Sequence, residues 1–114
     1  KINITADKEK IFQVFVNLLN NALKFTNQGT IIITAKQKEK TNQAVVMIKD
    51  SGPGIDPEII PHLFTKFKAK SEKGLGLGLY ISKNIIEAHH GKIEAYNNPN
   101  SNGATFVVTL PLKG

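Results

Sequence analysis

A wide apolar face between Lys8 and Thr26 limits the folds open to this chain more than any other feature. Apolar residues recur along this stretch with helical spacing, and few polar residues interrupt them. A helix with so wide an apolar face must pack against a second layer of structure, so we expect it to be largely buried. Asp7 is a suitable N-cap, and the segment 27–29 ends the pattern.

Short runs of β-branched and apolar residues predict that second layer. One strand precedes the helix and two hairpins follow it, with predicted strands at 1–6, 30–36, 44–49, 92–96 and 105–110. A short helix over Pro57–Phe67 and a longer one from Leu79 to about His90 separate the hairpins. The order β-α-β-β-α-α-β-β predicts an α/β two-layer sandwich, with a mixed, mostly antiparallel sheet and the helices on one face.

The composition narrows the classes of function. The 114 residues are expected to form a single domain, 1–114, without an internal linker. The absence of cysteine excludes a disulfide framework, and no apolar run is long enough to span a membrane, so we expect a cytoplasmic location without direct membrane contact. The net charge of +6 comes from lysine without arginine, which argues against a dedicated nucleic-acid surface.

Three polar residues stand out on the long helix. Asn17, Asn21 and Lys24 lie within roughly 60° of one another around a helical axis. Amide oxygens suit Mg²⁺ that is bound together with substrate phosphates, and a lysine one turn further on can contact those phosphates. Alternatively, the three residues form the solvent face of the helix, continued by Gln13.

A turn rich in glycine follows the first hairpin, at Asp50–Ile55. A carboxylate only accepts hydrogen bonds, so Asp50 in a pocket would favour an exocyclic amine, such as that of adenine, over the carbonyl of guanine. Gly52 and Gly54 would let the backbone approach a planar ring. The alternative is a tight turn in which Asp50 binds its own backbone.

Glycines at 74, 76 and 78 precede the last predicted helix. Such an entry to a helix offers backbone N–H groups to phosphates, although the spacing matches neither the dinucleotide fingerprint nor the Walker A loop. A hinge for the preceding segment is the alternative.

The adjacent His89 and His90 do not share a helical face, which argues against a metal site there.

In this order, the motifs resemble the catalytic, ATP-binding domain of two-component sensor histidine kinases, which has the Bergerat fold of the gyrase, Hsp90, histidine kinase and MutL superfamily. The similar segments are 17–26 for the N box, 50–55 for the G1 box, 63–67 for the F box, 74–79 for the G2 box and 102–106 for the last glycine box. The resemblance covers the chain from about Lys8 to Pro111. Thr65 and Lys66 depart from the acid and proline that the family often has in its F box.

The resemblance implies a site for ATP and Mg²⁺. Asn21 would be the magnesium ligand, supported by Asn17, and Lys24 would contact phosphate, so these three are the expected catalytic residues. Asp50 would accept the adenine amino group, and residues 56–73 would form a lid hinged at the G2 glycines. The other expected nucleotide contacts are Phe25, Gly52, Gly54, Ile55, Phe64, Gly74, Leu75, Gly76, Leu77, Gly78, Leu79 and Thr105.

One position indicates the type of reaction. ATP hydrolases of the superfamily have a glutamate four residues before the magnesium asparagine, whereas this chain has Asn17, whose amide cannot act as a general base. The resemblance therefore implies a protein-histidine kinase that transfers the γ-phosphoryl group of ATP to a histidine on a separate dimerisation domain, upstream of a response regulator. The chain is then expected to be a monomeric fragment of a longer kinase. An ATPase of the same superfamily and a nucleotide-binding regulatory module without kinase activity are the alternatives.

Overall fold

The computed structural model describes residues 6–26, 28–65 and 76–112, with the backbone alone at residues 25, 76 and 77. The predicted first strand and most of the lysine-rich segment before the glycines lie outside this part of the chain. Within it, the helices and strands are α1 (Lys8–Phe25), β1 (Ile31–Lys38), β2 (Gln43–Asp50), α2 (Gly76–Ala88), β3 (Lys92–Asn97) and β4 (Ala104–Pro111).

The strands form one sheet in the order β1-β2-β4-β3. Every pairing among these strands is antiparallel, and the two hairpins meet where β2 pairs with β4. In the register of this central pair, Ile48 lies opposite Phe106. The predicted two-layer sandwich with a mostly antiparallel sheet is confirmed.

The core lies between the sheet and the two helices. Side chains that are less than 10% exposed come from both layers, and the cluster includes Val14, Leu18, Ala22, Ile48, Leu63, Leu79, Ile85, Ile86, Ile93, Phe106, Val108 and Leu110. Because its strand members alternate with residues on the other face of the sheet, both helices cover the same face. Neither helix is long and apolar enough to cross a membrane.

Helix α1 begins at its predicted cap. The Asp7 carboxylate accepts hydrogen bonds from the backbone N–H groups of Glu9 and Lys10, at 3.1 and 3.2 Å. The core does not cover the full width of the apolar face, since Phe12 is 70% exposed and Leu23 is 63% exposed. These two residues lie roughly 120–140° around the helix from the buried Leu18, so they point away from the core.

His89 joins the two helices at one end. Its Nδ1 donates to the carbonyl of Ile85 at 2.8 Å, and its Nε2 accepts the backbone N–H of Asp7 at 3.0 Å. His90 then adopts a left-handed conformation with φ 66°, and the Gly91 N–H closes the helix end on the Ile86 carbonyl at 2.9 Å. The described residues contain no cluster of three His, Cys, Asp or Glu side chains that could hold a metal ion.

Two predicted helix boundaries were wrong. Within the described part of Pro57–Phe67, the structure has only a 3₁₀ turn at Ile60–His62. Pro61 has no N–H to donate to a helical carbonyl, which explains why no α-helix forms there. Helix α2 begins at Gly76 rather than Leu79, so Gly76 and Gly78 belong to its first turn.

Strand β1 ends the described sheet and is poorly covered. Ile32 and Ile33, which point to opposite faces, are 50% and 55% exposed. Lys36 and Lys38 follow in the same strand and are also exposed. The apolar half of this strand therefore has little stabilising burial.

Two leucines of α1 offer a matched test of this packing. Leu18 is 1% exposed and Leu23 is 63% exposed. We expect Leu18→Ala to lower the free energy of unfolding by about 2–5 kcal/mol because it leaves a cavity, and Leu23→Ala to lower it by less than about 0.5 kcal/mol. Urea denaturation measures both values. Equal losses in the two variants would contradict the packing described here.

Candidate nucleotide site

Asp50 lies at the end of the central strand β2, facing the helices. Its side chain is nearly buried, at 8% exposed. The carboxylate Oδ1 accepts the N–H of Gly52 at 2.9 Å and the N–H of Ala104 at 3.2 Å. The bond from Gly52 is the tight-turn bond that was the alternative to a ligand contact. The bond from Ala104 connects Asp50 to β4. Both bonds end on Oδ1, and within the described residues no hydrogen bond ends on Oδ2, which is therefore the acceptor that a ligand could use.

The loop after Asp50 is shaped by glycine. Gly54 has φ 86°, and a Cβ on it would lie 2.9 Å from the Asn97 Oδ1. Asn97 holds the next residue by two bonds, since its Oδ1 accepts the Ile55 N–H at 2.7 Å and its Nδ2 donates to the Ile55 carbonyl at 2.8 Å. Gly54 is therefore required both for its conformation and for the close approach of Asn97.

The turn between β3 and β4 packs against the same loop. Gly103 has φ 96°, and a Cβ on it would overlap the Asp50 carbonyl. Asn98 is 7% exposed, and its Nδ2 donates to that same carbonyl at 2.9 Å. Asn97 and Asn98 fall between the predicted strands 92–96 and 105–110, and two amides in succession at the end of a strand are the signal in the sequence for this role.

The expected role of Thr105 in the base pocket was wrong. Thr105 lies opposite Lys49 in the β2–β4 register and opposite Tyr96 in the β3–β4 register, so it shares their face of the sheet, away from the helices. Its hydroxyl donates to the Asn98 Oδ1 at 2.6 Å. Ala104, the preceding residue, is the one on the same face as Asp50.

The polar stripe of α1 faces the start of α2. The Asn17 Nδ2 donates to the Ser82 hydroxyl at 3.2 Å and to the Gly78 carbonyl at 3.5 Å, so this residue does not belong to a purely solvated face. Asn21 is half-buried one turn further on, and Lys24 is exposed. The orientation of the Asn17 amide directs its Oδ1 away from these two partners. The two neutral amide oxygens fit a Mg²⁺ ion that takes its other ligands from water and phosphate.

In the first turn of α2, Gly78 presents backbone without a side chain. No described atom lies within 4 Å of a Cβ built on Gly78, so the helix is bare there. The Leu79 side chain is fully buried in the core, so a nucleotide contact at this residue would involve its backbone. Gly76 and Gly78 belong to the helix, while Gly74, the other glycine of the expected hinge, lies outside the described residues.

Phe64 is the described part of the F box. Its ring packs edge-on against Phe106, with centroids 6.2 Å apart and an angle of 85° between the rings. Phe64 is half-buried and packs against the core, so part of its ring stays accessible. Gly74, Leu75 and the side chains of Phe25 and Leu77 lie outside the described residues, as does the lid from 66 to 73.

Comparison with known proteins places this geometry in a family. The profile of the family described as histidine kinase-, DNA gyrase B-, and HSP90-like ATPase matches residues 6–114. The chain belongs to this family. It is 43% identical to the sensor protein KdpD of Clostridium acetobutylicum, over 96% of this chain and 13% of that protein. It is 36% identical to the histidine-protein kinase BaeS of Escherichia coli, over 98% of this chain and 25% of that protein.

Solved structures of histidine kinases share the fold. Full-length ShkA in complex with AMPPNP has a TM-score of 0.84 and 28% identity, over 98% of this chain and 23% of that chain. The nucleotide-free catalytic domain of ThkA has a TM-score of 0.83 and 36% identity, over 95% of this chain and 70% of that chain. The predicted resemblance to histidine kinase catalytic domains is confirmed, and the chain spans only a small part of its full-length relatives.

Two glycines offer a matched test of the site geometry. We expect Gly103→Ala to lower the free energy of unfolding by about 1–3 kcal/mol, because a Cβ there strains the backbone and overlaps the Asp50 carbonyl. Gly78→Ala lies in an open position of a helix, so it is expected to raise that free energy by about 0.5–1 kcal/mol. Urea denaturation compares the two. Tolerance of Gly103→Ala would contradict the close packing of the turn against Asp50.

Proposed function

We propose that this chain is the catalytic domain of a sensor histidine kinase, which binds ATP with Mg²⁺ and supplies the γ-phosphoryl group to a histidine on a separate dimerisation domain. The observation on which the proposal most depends is the Asp50 carboxylate, buried at a strand end with Oδ1 occupied and Oδ2 left for a ligand. The AMPPNP complex of ShkA, a similar structure, supports an ATP site in the same fold.

The base would be recognised through Asp50. The exocyclic amine of adenine would donate a hydrogen bond to Oδ2. The guanine carbonyl is itself an acceptor, so it could form no hydrogen bond with Oδ2 in this nearly buried site. The backbone of the 50–55 loop would border the ring where Gly52 and Gly54 have no side chains. Ile55 and Phe64 are both half-buried, and their exposed parts would complete the apolar lining of the base pocket.

The phosphates would lie between α1 and the start of α2. The first turn of α2 has backbone N–H groups and a bare surface at Gly78, which suits an anion. Lys24 is an exposed cation on the facing stripe of α1 and would add charge there. Asn21 and Asn17 would hold Mg²⁺, whose role is to neutralise the phosphate charge during transfer.

The reaction would be transfer rather than hydrolysis. Asn17 stands at the position of the hydrolytic glutamate, and its amide cannot take a proton from water. The Asn17 Nδ2 also donates hydrogen bonds to the Ser82 hydroxyl and the Gly78 carbonyl, so the residue is suited to a positioning role. The proposal also includes a lid formed by residues 56–73 and a response regulator that acts downstream of the kinase. Steady hydrolysis of ATP by the chain alone would favour the ATPase alternative instead.

Replacement of Asp50 tests base recognition. In calorimetric titrations with AMPPNP and the matching GTP analogue, we expect the native chain to prefer the adenine nucleotide. Asp50→Asn is expected to weaken AMPPNP binding at least about tenfold, because a hydrogen bond to a charged acceptor is lost. The exposed Asp56, which caps the Glu58 N–H, gives the matched control Asp56→Asn. Equal affinity for both nucleotides in the native chain would refute the assignment of Asp50.

Replacement of Asn21 tests the magnesium site. AMPPNP is expected to bind the native chain more tightly with Mg²⁺ than without it, since the metal links phosphate to the α1 amides. Asn21→Ala should remove this dependence on the metal, whereas Asn20→Ala, at an exposed neighbouring amide, should preserve it. Titration with and without Mg²⁺ measures both. Unchanged magnesium dependence in Asn21→Ala would remove Asn21 from the site.

A further inference from the structure

Two consecutive asparagines hold the two ends of the loop that follows Asp50. Asn98 donates from Nδ2 to the carbonyl of Asp50, the first residue of the loop, at 2.9 Å. Asn97 binds both the N–H and the carbonyl of Ile55, the last residue, at 2.7 and 2.8 Å. Side chains of adjacent residues therefore fix the start and the end of a segment 42–48 residues earlier in the sequence.

The Asn98 amide is fixed by its own partners. Besides the Asp50 carbonyl, its Nδ2 donates to the Asn102 carbonyl at 2.8 Å, and its Oδ1 accepts the Thr105 hydroxyl at 2.6 Å. Its backbone N–H donates to the Gly103 carbonyl at 2.9 Å. With every polar group of the side chain in use and the residue 7% exposed, Asn98 has no second orientation of equal energy.

The loop combines one residue of fixed φ, Pro53, with flexible glycines on both sides of it. Gly52 and Gly54 lie between the two held ends, and glycine loses more conformational freedom on ordering than any other residue. The direction of the Asp50 carboxylate depends on this loop, since the Gly52 N–H binds its Oδ1. Without the two asparagines, the loop would become ordered only when the base binds. The cost of this ordering would weaken binding of the base.

We infer that Asn97 and Asn98 are positioning residues that preorganise Asp50 to recognise the exocyclic amine of the base. The inference rests on the proposed function. Neither residue needs to touch the nucleotide, because each acts on the backbone of the loop. Their effect is therefore specific to recognition of the amine and absent from the binding of phosphate and magnesium.

The test compares two nucleotides that differ only in that amine. ADP and purine riboside 5′-diphosphate, which lacks the 6-amino group, are titrated by calorimetry with Mg²⁺. The variants are Asn98→Asp and Asn97→Asp, which keep the shape and the acceptor oxygen but replace the donating NH₂ by an oxygen that faces a carbonyl. Asn100→Asp, at an exposed position of the same turn, is the matched control for the change in charge.

We expect the native chain to bind ADP at least about tenfold more tightly than the amine-free nucleotide. Asn98→Asp and Asn97→Asp should each reduce this preference to less than about threefold by weakening ADP, with the amine-free nucleotide changed less than about twofold. Asn100→Asp should keep the native preference. In an Asp50→Asn background, Asn98→Asp should have no further effect on the preference, because the two residues act on one contact.

The outcomes separate this inference from the proposed function. Equal weakening of both nucleotides by Asn98→Asp and Asn97→Asp would overturn the inference, as would an unchanged preference. Failure of the native chain to bind either nucleotide, or to prefer ADP, would refute the proposed function itself. If Asn98→Asp does not fold by circular dichroism, Asn97→Asp decides, together with amide exchange at Gly52, whose N–H binds the Asp50 Oδ1 and should exchange faster in Asn97→Asp and not in Asn100→Asp.

Discussion

The structure depends on one buried carboxylate. Removing a charged group from water costs several kcal/mol unless hydrogen bonds replace its hydration. The Asp50 carboxylate accepts two such hydrogen bonds. One comes from the Gly52 N–H in its own loop and the other from the Ala104 N–H at the start of β4. The close approach at Gly103 and the pairing of β2 with β4 bring those donors into place. The bond that connects Asp50 to β4 therefore also fixes the carboxylate of the candidate site.

The regular elements could be predicted because their signals are local. The N-cap at Asp7, the long helix and both hairpins follow from spacing within a few residues, and their boundaries agree with the structure to within about two residues for most strands. Pro61 shows the limit of such patterns. The apolar spacing around it favoured a helix, while the missing N–H allowed only a 3₁₀ turn.

The candidate site was predicted less completely, for a tertiary reason. Motif resemblance indicated Asp50, Gly54 and the α1 amides, which the structure arranges around the strand end and the start of α2. It placed Thr105 in the base pocket wrongly, because the face that a side chain occupies depends on strand register. Asn97 and Asn98 were missed because their partners lie far away in the sequence.

The exposed strand β1 has a consequence for the molecule in concentrated solution. Strands at a sheet edge can template pairing with another copy, and the isoleucines at its start favour such contact. In the symmetric antiparallel register, however, Lys36 would lie opposite Ile33, and Lys38 opposite Ile31. Each new apolar contact would then require partial dehydration of an ammonium group. The lysines at the end of β1 thus disfavour pairing of this edge with the same edge of a second copy.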